Sequence, residues 1–299
     1  MGEQNDVIKT LHRAFGERSA LLRFGPDVIF DPANFEAGVQ SGIVRSFGRP
    51  DDTRDGGFVV VENMKGRPIY AKVEEDELFG SLKVGQAVAL GVYKPDPRPS
   101  DIKAHAETNG GVFSFVHVYL NEGNGEEYTK ALDRRLEALG HANVVSKNKN
   151  SEWDIPDDYL DRVRDYQKRI AKTSPTPLSR NSTLTLNEMT TARGATWLDT
   201  QLKREPLEAD GTSQELLDAA AKRRAALRQL GFAIGDKDRL LQHSINELKA
   251  MDFKETGERH AASLGKAYVS SSGASHIEGV FSKTIERPSG TFAVIERSR

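Results

Sequence analysis

The chain has 299 residues, of which 37% are hydrophobic, and glycine and proline are spread throughout, which favours several small modules over one large core. Its net charge of −2 excludes a strongly basic nucleic-acid coat, and the absence of cysteine excludes disulfides, thiolate metal sites and cysteine nucleophiles. Since the sequence also lacks a signal peptide and an apolar run of the roughly 18 residues that span a membrane, we expect a cytoplasmic protein without a membrane partner.

The first third of the chain predicts a helix followed by short strands. Apolar residues at helical spacing run from Val7 to Phe15, and Gly16 is a suitable helix end. Four short apolar runs separated by turn sequences then predict strands at residues 42–44, 58–61, 68–71 and 87–90. We therefore expect a helix and connector over residues 1–38 and a small antiparallel barrel-like domain over residues 39–105. Three prolines between residues 93 and 100 indicate a linker.

The pattern over residues 112–172 predicts a winged-helix-like domain. Leu132, Leu136 and Leu139 fall on one face of a helix that ends before Gly140. Residues 144–155 then predict a two-stranded wing around a polar turn, and apolar spacing after Pro156 predicts a second helix over residues 159–170.

The remainder predicts a helical region that ends in β-strands. A linker is expected over residues 173–181, and the last domain over residues 182–299. Its predicted helices lie at 196–202, 213–230 and 240–264, the last broken near Asp252 or Gly257, and two strands follow at 277–285 and 292–295. The fold class expected for the whole chain is α+β, built from several small modules.

Basic side chains form two candidate DNA-contact patches. The first, in the winged-helix-like domain, consists of Arg134, Arg135, Lys147, Lys149, Lys168, Arg169 and Lys172. The second lies on the helix over residues 213–230 and consists of Lys222, Arg223, Arg224 and Arg228. Cations near phosphates bind by counterion release, but eight acidic residues between positions 133 and 165 oppose the first patch. A solvated mixed-charge surface is therefore the alternative interpretation.

Three stretches resemble the segment that follows the nuclease domain in the relaxase/mobilisation nuclease family of proteobacterial conjugative plasmids and integrative elements. They lie at residues 6–14, at 193–202, and at 279–281 with 288–295. The middle stretch is the distinctive one and contains Gly194, Ala195, Thr196, Trp197, Leu198, Asp199, Gln201 and Leu202. Trp197 has two interpretations, stacking on an unpaired base or packing its helix onto the domain core.

The resemblance implies a region of largely undefined function, attached in most relatives to a domain that cleaves DNA. Relaxases nick with a tyrosine and a metal held by clustered histidines, and this chain has no counterpart of that nuclease domain. Its seven histidines are dispersed, without a His-x-His pair: His12, His105, His117, His141, His243, His260 and His276. No phosphate-binding loop or nucleophile elbow occurs either. We therefore expect no catalytic residues, no metal site and no cofactor.

Two functions of different classes follow from these observations. The first is a non-catalytic component of conjugative DNA transfer that binds origin or single-stranded DNA beside a separate relaxase nuclease. The alternative is an interaction module that the coupling protein of a type IV secretion system recognises. A relaxase-type endonuclease with a site assembled from distant residues is a third hypothesis.

Overall fold

A computed structural model describes residues 2–16, 28–49, 56–93, 98–115, 126–204, 212–235, 239–270 and 276–296. The helices in these ranges are α1 (Gly2–Phe15), α2 (Glu77–Gly80), α3 (Arg98–Thr108), α4 (Glu126–His141), α5 (Tyr159–Thr173), α6 (Leu186–Thr191), α7 (Trp197–Arg204), α8 (Gln214–Gln229) and α9 (Gln242–Ser263). The strands are β1 (Gln40–Gly48), β2 (Gly57–Asn63), β3 (Pro68–Val73), β4 (Gln86–Leu90), β5 (Val112–Phe113), β6 (Ser146–Lys147), β7 (Trp153–Asp154), β8 (Leu178–Thr185), β9 (Val280–Arg287) and β10 (Gly290–Glu296). The fold class is α+β, as predicted.

The chain divides into two compact units. The sheet unit comprises Met1–Phe30, Val39–Gly91 and Thr176–Arg299, and the winged unit comprises Asp31–Gly38 and Val92–Pro175. Three of the four segments expected from sequence therefore fall mainly in one unit, because strands and helices from all three share its core.

The sheet unit is built on a five-stranded antiparallel sheet with the strand order β3-β2-β1-β4-β8. The four predicted strands are confirmed as β1 to β4. The expected barrel is not closed, since among the described strands β3 and β8 lie at opposite edges of the sheet. The predicted linker over residues 173–181 was wrong in its second half, because β8 begins at Leu178 and pairs with β4. The prolines there lie just before the strand, where a missing N–H removes no ladder bond.

Helices bury apolar side chains around this sheet in separate clusters. Val7, Leu11 and Phe15 of α1 pack with Val60 and Tyr70 of the sheet. A second cluster joins sheet residues to the helices that follow β8: Ile43, Ala87, Leu186, Met189, Trp197, Leu198, Leu216 and Ala219. The α7, α8 and α9 helices share a third cluster: Ala195, Leu202, Ala220, Leu227, Leu240, Ile245 and Leu248. No helix in the described ranges is both long and apolar enough to cross a membrane.

The α9 helix runs unbroken from Gln242 to Ser263, so the break predicted near Asp252 or Gly257 was wrong. Gly257 is needed for packing instead, because a Cβ there would lie 2.2 Å from the ring of Tyr268. The buried Asp252 accepts hydrogen bonds from the tip of the β9–β10 hairpin, and Phe253 contacts Phe292 of β10 edge-on at 5.3 Å. The predicted C-terminal strands are confirmed as this antiparallel hairpin.

The winged unit has the element order α3, β5, α4, β6, β7, α5 and a small sheet with the strand order β5-β7-β6. The predicted α4, hairpin and α5 are present. The α3 helix was not predicted; it begins inside the predicted linker at residues 93–100 and has Pro99 in its first turn. The core of the winged unit contains Ile102, Phe113, Leu132, Leu136, Leu139, Val144, Trp153, Tyr159 and Val163. The described elements place α3, β5 and α4 before the two-stranded β6–β7 hairpin, and α5 after it.

Candidate nucleic-acid interface

The α4 helix is oriented by its leucines, which determine the basic residues that reach solvent. Leu132, Leu136 and Leu139 are buried in the core of the winged unit. Because side chains three and four positions apart share a helix face, Lys130 and Arg134 lie on the opposite, exposed side. Arg135 is half-buried beside them.

The β6–β7 hairpin, here called the wing, ends in a turn fixed by hydrogen bonds. The Asn148 side-chain oxygen accepts from the backbone N–H groups of Asn150 and Glu152, at 2.9 and 3.1 Å. Ser151 adopts a left-handed conformation with φ of 62°. Lys149 is exposed at the tip, whereas the Nζ atom of Lys147 lies 4.6 Å above the ring of Trp153. This arrangement presents a cation on an ordered turn, which is how wings contact a phosphate backbone.

Carboxylates neutralise part of the positive charge of the winged unit. Lys147 pairs with Glu137 of α4, and the Arg162 Nε atom lies 2.8 Å from the Asp158 carboxylate. The hydrogen bond from Arg162 lowers the pKa of Asp158. Lys168, Arg169 and Lys172 are exposed along α5. The first predicted patch is therefore a mixed surface, and its accessible cations are Arg134, Lys149, Lys168, Arg169 and Lys172.

The second predicted patch, on α8, is not one surface. Lys222 and Arg228 are exposed and Arg224 is half-buried, but Arg223 is fully buried. Its guanidinium donates to both Asp199 oxygens, from Nε at 2.8 Å and from Nη2 at 2.7 Å. It also donates to the carbonyls of Ala192 and Gly194. Arg223 was therefore wrong as a DNA-contact residue, because its donors are used inside the sheet unit.

The stretch that includes Gly194 to Leu202 forms a buried polar junction rather than an exposed site. Asp199 accepts from both the backbone N–H and the hydroxyl of Thr196, at 2.7 and 2.9 Å. The Ala195 N–H donates to the Ser289 hydroxyl at 2.9 Å. Trp197, Leu198 and Leu202 are buried in the core clusters and Gln201 is half-buried. Packing, and not base stacking, is thus the role of Trp197.

Part of this junction was visible in the sequence. A threonine followed three positions later by an aspartate before an apolar run is a capping-box pattern, which Thr196 and Asp199 satisfy. The partnership of Asp199 with Arg223 spans 24 positions and has no local signal.

Among the described residues, no three histidine, aspartate or glutamate side chains are grouped so that they could share a metal ion. His117 lies outside the described residues.

The comparisons with known proteins give a family but no activity. No curated protein and no solved structure matches the chain. A family model described as "Protein of unknown function (DUF3363)" matches residues 1–299. Since this match covers the whole chain, the protein belongs to the DUF3363 family.

Proposed function

We propose that this protein is a non-catalytic component of conjugative DNA transfer that binds DNA through its winged unit, at or near the transfer origin and beside a separate nuclease. The observation that carries the proposal is the helix-and-hairpin arrangement of α3, α4 and the wing, with Arg134 and Lys149 exposed on α4 and the wing tip. Helix-and-wing modules place the helix in a groove and the wing on the backbone. The assignment to conjugative DNA transfer rests on the resemblance to relaxases.

The charge distribution is compatible with local rather than global attraction. With a net charge of −2, the chain has no general affinity for polyanions, so binding must depend on a few cations held in register. Such binding weakens steeply with salt, because each phosphate contact releases about one counterion.

Fluorescence anisotropy with labelled single-stranded and duplex oligonucleotides at low salt tests this function. We expect saturable binding that weakens as salt is raised, and a lower affinity for the Lys149→Gln variant. The matched control is Lys283→Gln, which removes an exposed lysine from the sheet unit. No binding to either oligonucleotide, with a positive control that binds, would contradict the proposal.

An interaction module for the type IV secretion coupling protein is the second candidate function, and the β9–β10 hairpin favours it. Val280 is 72% exposed and Phe281 59%, and Phe281 is paired across the hairpin with the exposed Ile295. Exposed apolar groups of this kind are typical of protein contacts. A pull-down in which a coupling protein or relaxase associates with the chain, while DNA does not, would favour this function over DNA binding.

A further inference from the structure

A groove of about 480 Å³ lies in the winged unit between α4 and α5, beside the first residue of α3. Three arginines line it: Arg98, Arg134 and Arg135. Its apolar lining includes Tyr166 and Ile170 of α5. We call it the α4–α5 groove. Arg98 has not figured in the patches above, because α3 itself was not predicted.

The charged residues among the described lining of this groove are all arginines. None of the described residues that line the α4–α5 groove carries a carboxylate, although Asp133 and Glu137 lie on the same helix as two of its arginines. A neighbouring groove of about 860 Å³ in the same unit is different, because Asp31 and Glu36 line it together with Lys168. Of these two grooves, the α4–α5 groove is the one with complementarity to an anion.

Arginine suits phosphate because its guanidinium is planar, always charged and able to donate two parallel hydrogen bonds. The Nε atom of Arg134 donates to the Lys130 carbonyl at 3.3 Å, which orients this guanidinium on α4. A groove lined by three arginines can place several such donors around one phosphate.

The apolar lining of the groove favours a ligand that carries a flat apolar group as well as a phosphate. Tyr166 is half-buried with its ring packed on the core of the unit, and Ile170 is 42% exposed next to it. Aromatic rings and guanidinium planes are the groups on which unpaired bases stack. Duplex DNA keeps its bases inside the helix, so only an unpaired nucleotide can offer phosphate and base to one groove together. An acidic peptide would satisfy the arginines but gain little from the ring.

We propose that the α4–α5 groove binds an unpaired nucleotide of single-stranded DNA, with its phosphate on Arg98, Arg134 and Arg135 and its base against Tyr166. This inference rests on the proposed function and deepens it, since it assigns single-strand recognition to a site distinct from the wing tip. Arg134 is shared with the α4 contact proposed above, whereas Arg98 and Tyr166 belong to the groove alone.

The test compares variants of the full chain in anisotropy titrations with a labelled single strand of about 12 nucleotides and a duplex of equal length. Tyr166→Leu, which keeps apolar volume but removes the ring, is expected to lower single-strand affinity about tenfold, and Tyr166→Phe to change it less than about twofold. Arg98→Gln and Arg134→Gln should each lower the salt slope by about 1. Arg164→Gln, on the exposed side of α5, is the matched control.

Duplex affinity and thermal unfolding measured on the same variants separate the outcomes. Loss of single-strand affinity with duplex affinity of Tyr166→Leu retained supports the inference. Single-strand binding that is as insensitive to the groove variants as to Arg164→Gln overturns it, as does an equal loss of single-strand and duplex binding in Tyr166→Leu and Arg98→Gln. Duplex binding without single-strand binding also overturns it while leaving the proposed function standing, and binding of neither overturns both.

Competition by polyglutamate that depends on the same residues, without single-strand binding, would overturn the inference and assign the groove to an acidic peptide. If Tyr166→Leu unfolds, the single-strand and duplex affinities of Arg98→Gln decide between these outcomes.

Discussion

Arg223 and Asp199 form a charge pair with no exposed surface, at 2.7 Å between the Arg223 Nη2 and Asp199 Oδ2 atoms. Both groups are otherwise satisfied, because the guanidinium also donates to the Gly194 carbonyl and the carboxylate accepts from Thr196. A buried pair of this kind is weak as a source of stability, but the loss of one partner leaves a charge in a medium that cannot solvate it.

We therefore predict that Arg223→Met destabilises the sheet unit by about 3–5 kcal/mol, because Asp199 would remain charged and buried. Urea unfolding followed by circular dichroism measures this change. The control is Lys222→Gln, which alters the exposed neighbour and should change the free energy of unfolding by less than about 0.5 kcal/mol. Equal effects of the two substitutions would show that the ion pair is not needed.

Gly194 is required by close packing and not by backbone conformation. A Cβ atom at this position would lie 2.5 Å from the Asp252 Oδ2 atom and 2.7 Å from the Ser289 Oγ atom. We predict that Gly194→Ala lowers the free energy of unfolding by about 1–3 kcal/mol. Gly80→Ala is the matched control, since a Cβ there meets nothing within 4 Å. Equal tolerance of both alanines in the same unfolding experiment would show that close packing does not require a glycine at position 194.

At the scale of elements, Asp252 of α9 holds the tip of the C-terminal hairpin. An isolated two-stranded hairpin is marginally stable in water. Asp252 fixes its tip by accepting from the Arg287 Nε atom at 3.1 Å and from the Ser289 N–H at 3.0 Å. Because the Ser289 hydroxyl in turn accepts from the Ala195 N–H, the hairpin is also connected to the α7 region through this serine.

Asp252→Ala is accordingly expected to loosen the hairpin while leaving the five-stranded sheet intact, because the sheet has its own packed core. Hydrogen exchange read by mass spectrometry should show faster exchange over β9 and β10 and unchanged exchange over β1 to β4. Lys249→Ala, an exposed change on the same helix, should leave both unchanged. Unaltered protection of the hairpin in Asp252→Ala would refute this dependence.

Elements with strong local patterns were predictable, whereas partnerships between distant segments were not. The leucine spacing of α4 and the short apolar runs of β1 to β4 predicted these elements directly. The α3 helix was not recognised because prolines precede it and its apolar residues do not form a marked helical face. The β8 strand was not recognised because its sequence is polar. Arg223 was grouped with its charged neighbours because sequence shows adjacency, while burial is decided by Asp199, 24 positions away.

At the scale of the whole molecule, the two predicted basic patches lie in different units, and we propose that only the winged unit binds DNA. In the sheet unit, Lys222 and Arg228 are exposed on α8, but the buried Arg223 removes the centre of that patch. In the winged unit, Arg134 and Lys149 are exposed on the helix and the wing tip. The chain's DNA affinity should therefore depend on the winged unit alone.

The most direct test is the salt dependence of DNA binding for two double variants of the full chain, measured by fluorescence anisotropy with single-stranded and duplex oligonucleotides. Arg134→Gln with Lys149→Gln is predicted to lower affinity about tenfold or more and to reduce the salt slope by about 2. Lys222→Gln with Arg228→Gln removes the same charge from the sheet unit and is predicted to change affinity less than about twofold. Equal losses in both variants, or a loss confined to the second, would contradict DNA binding through the winged unit.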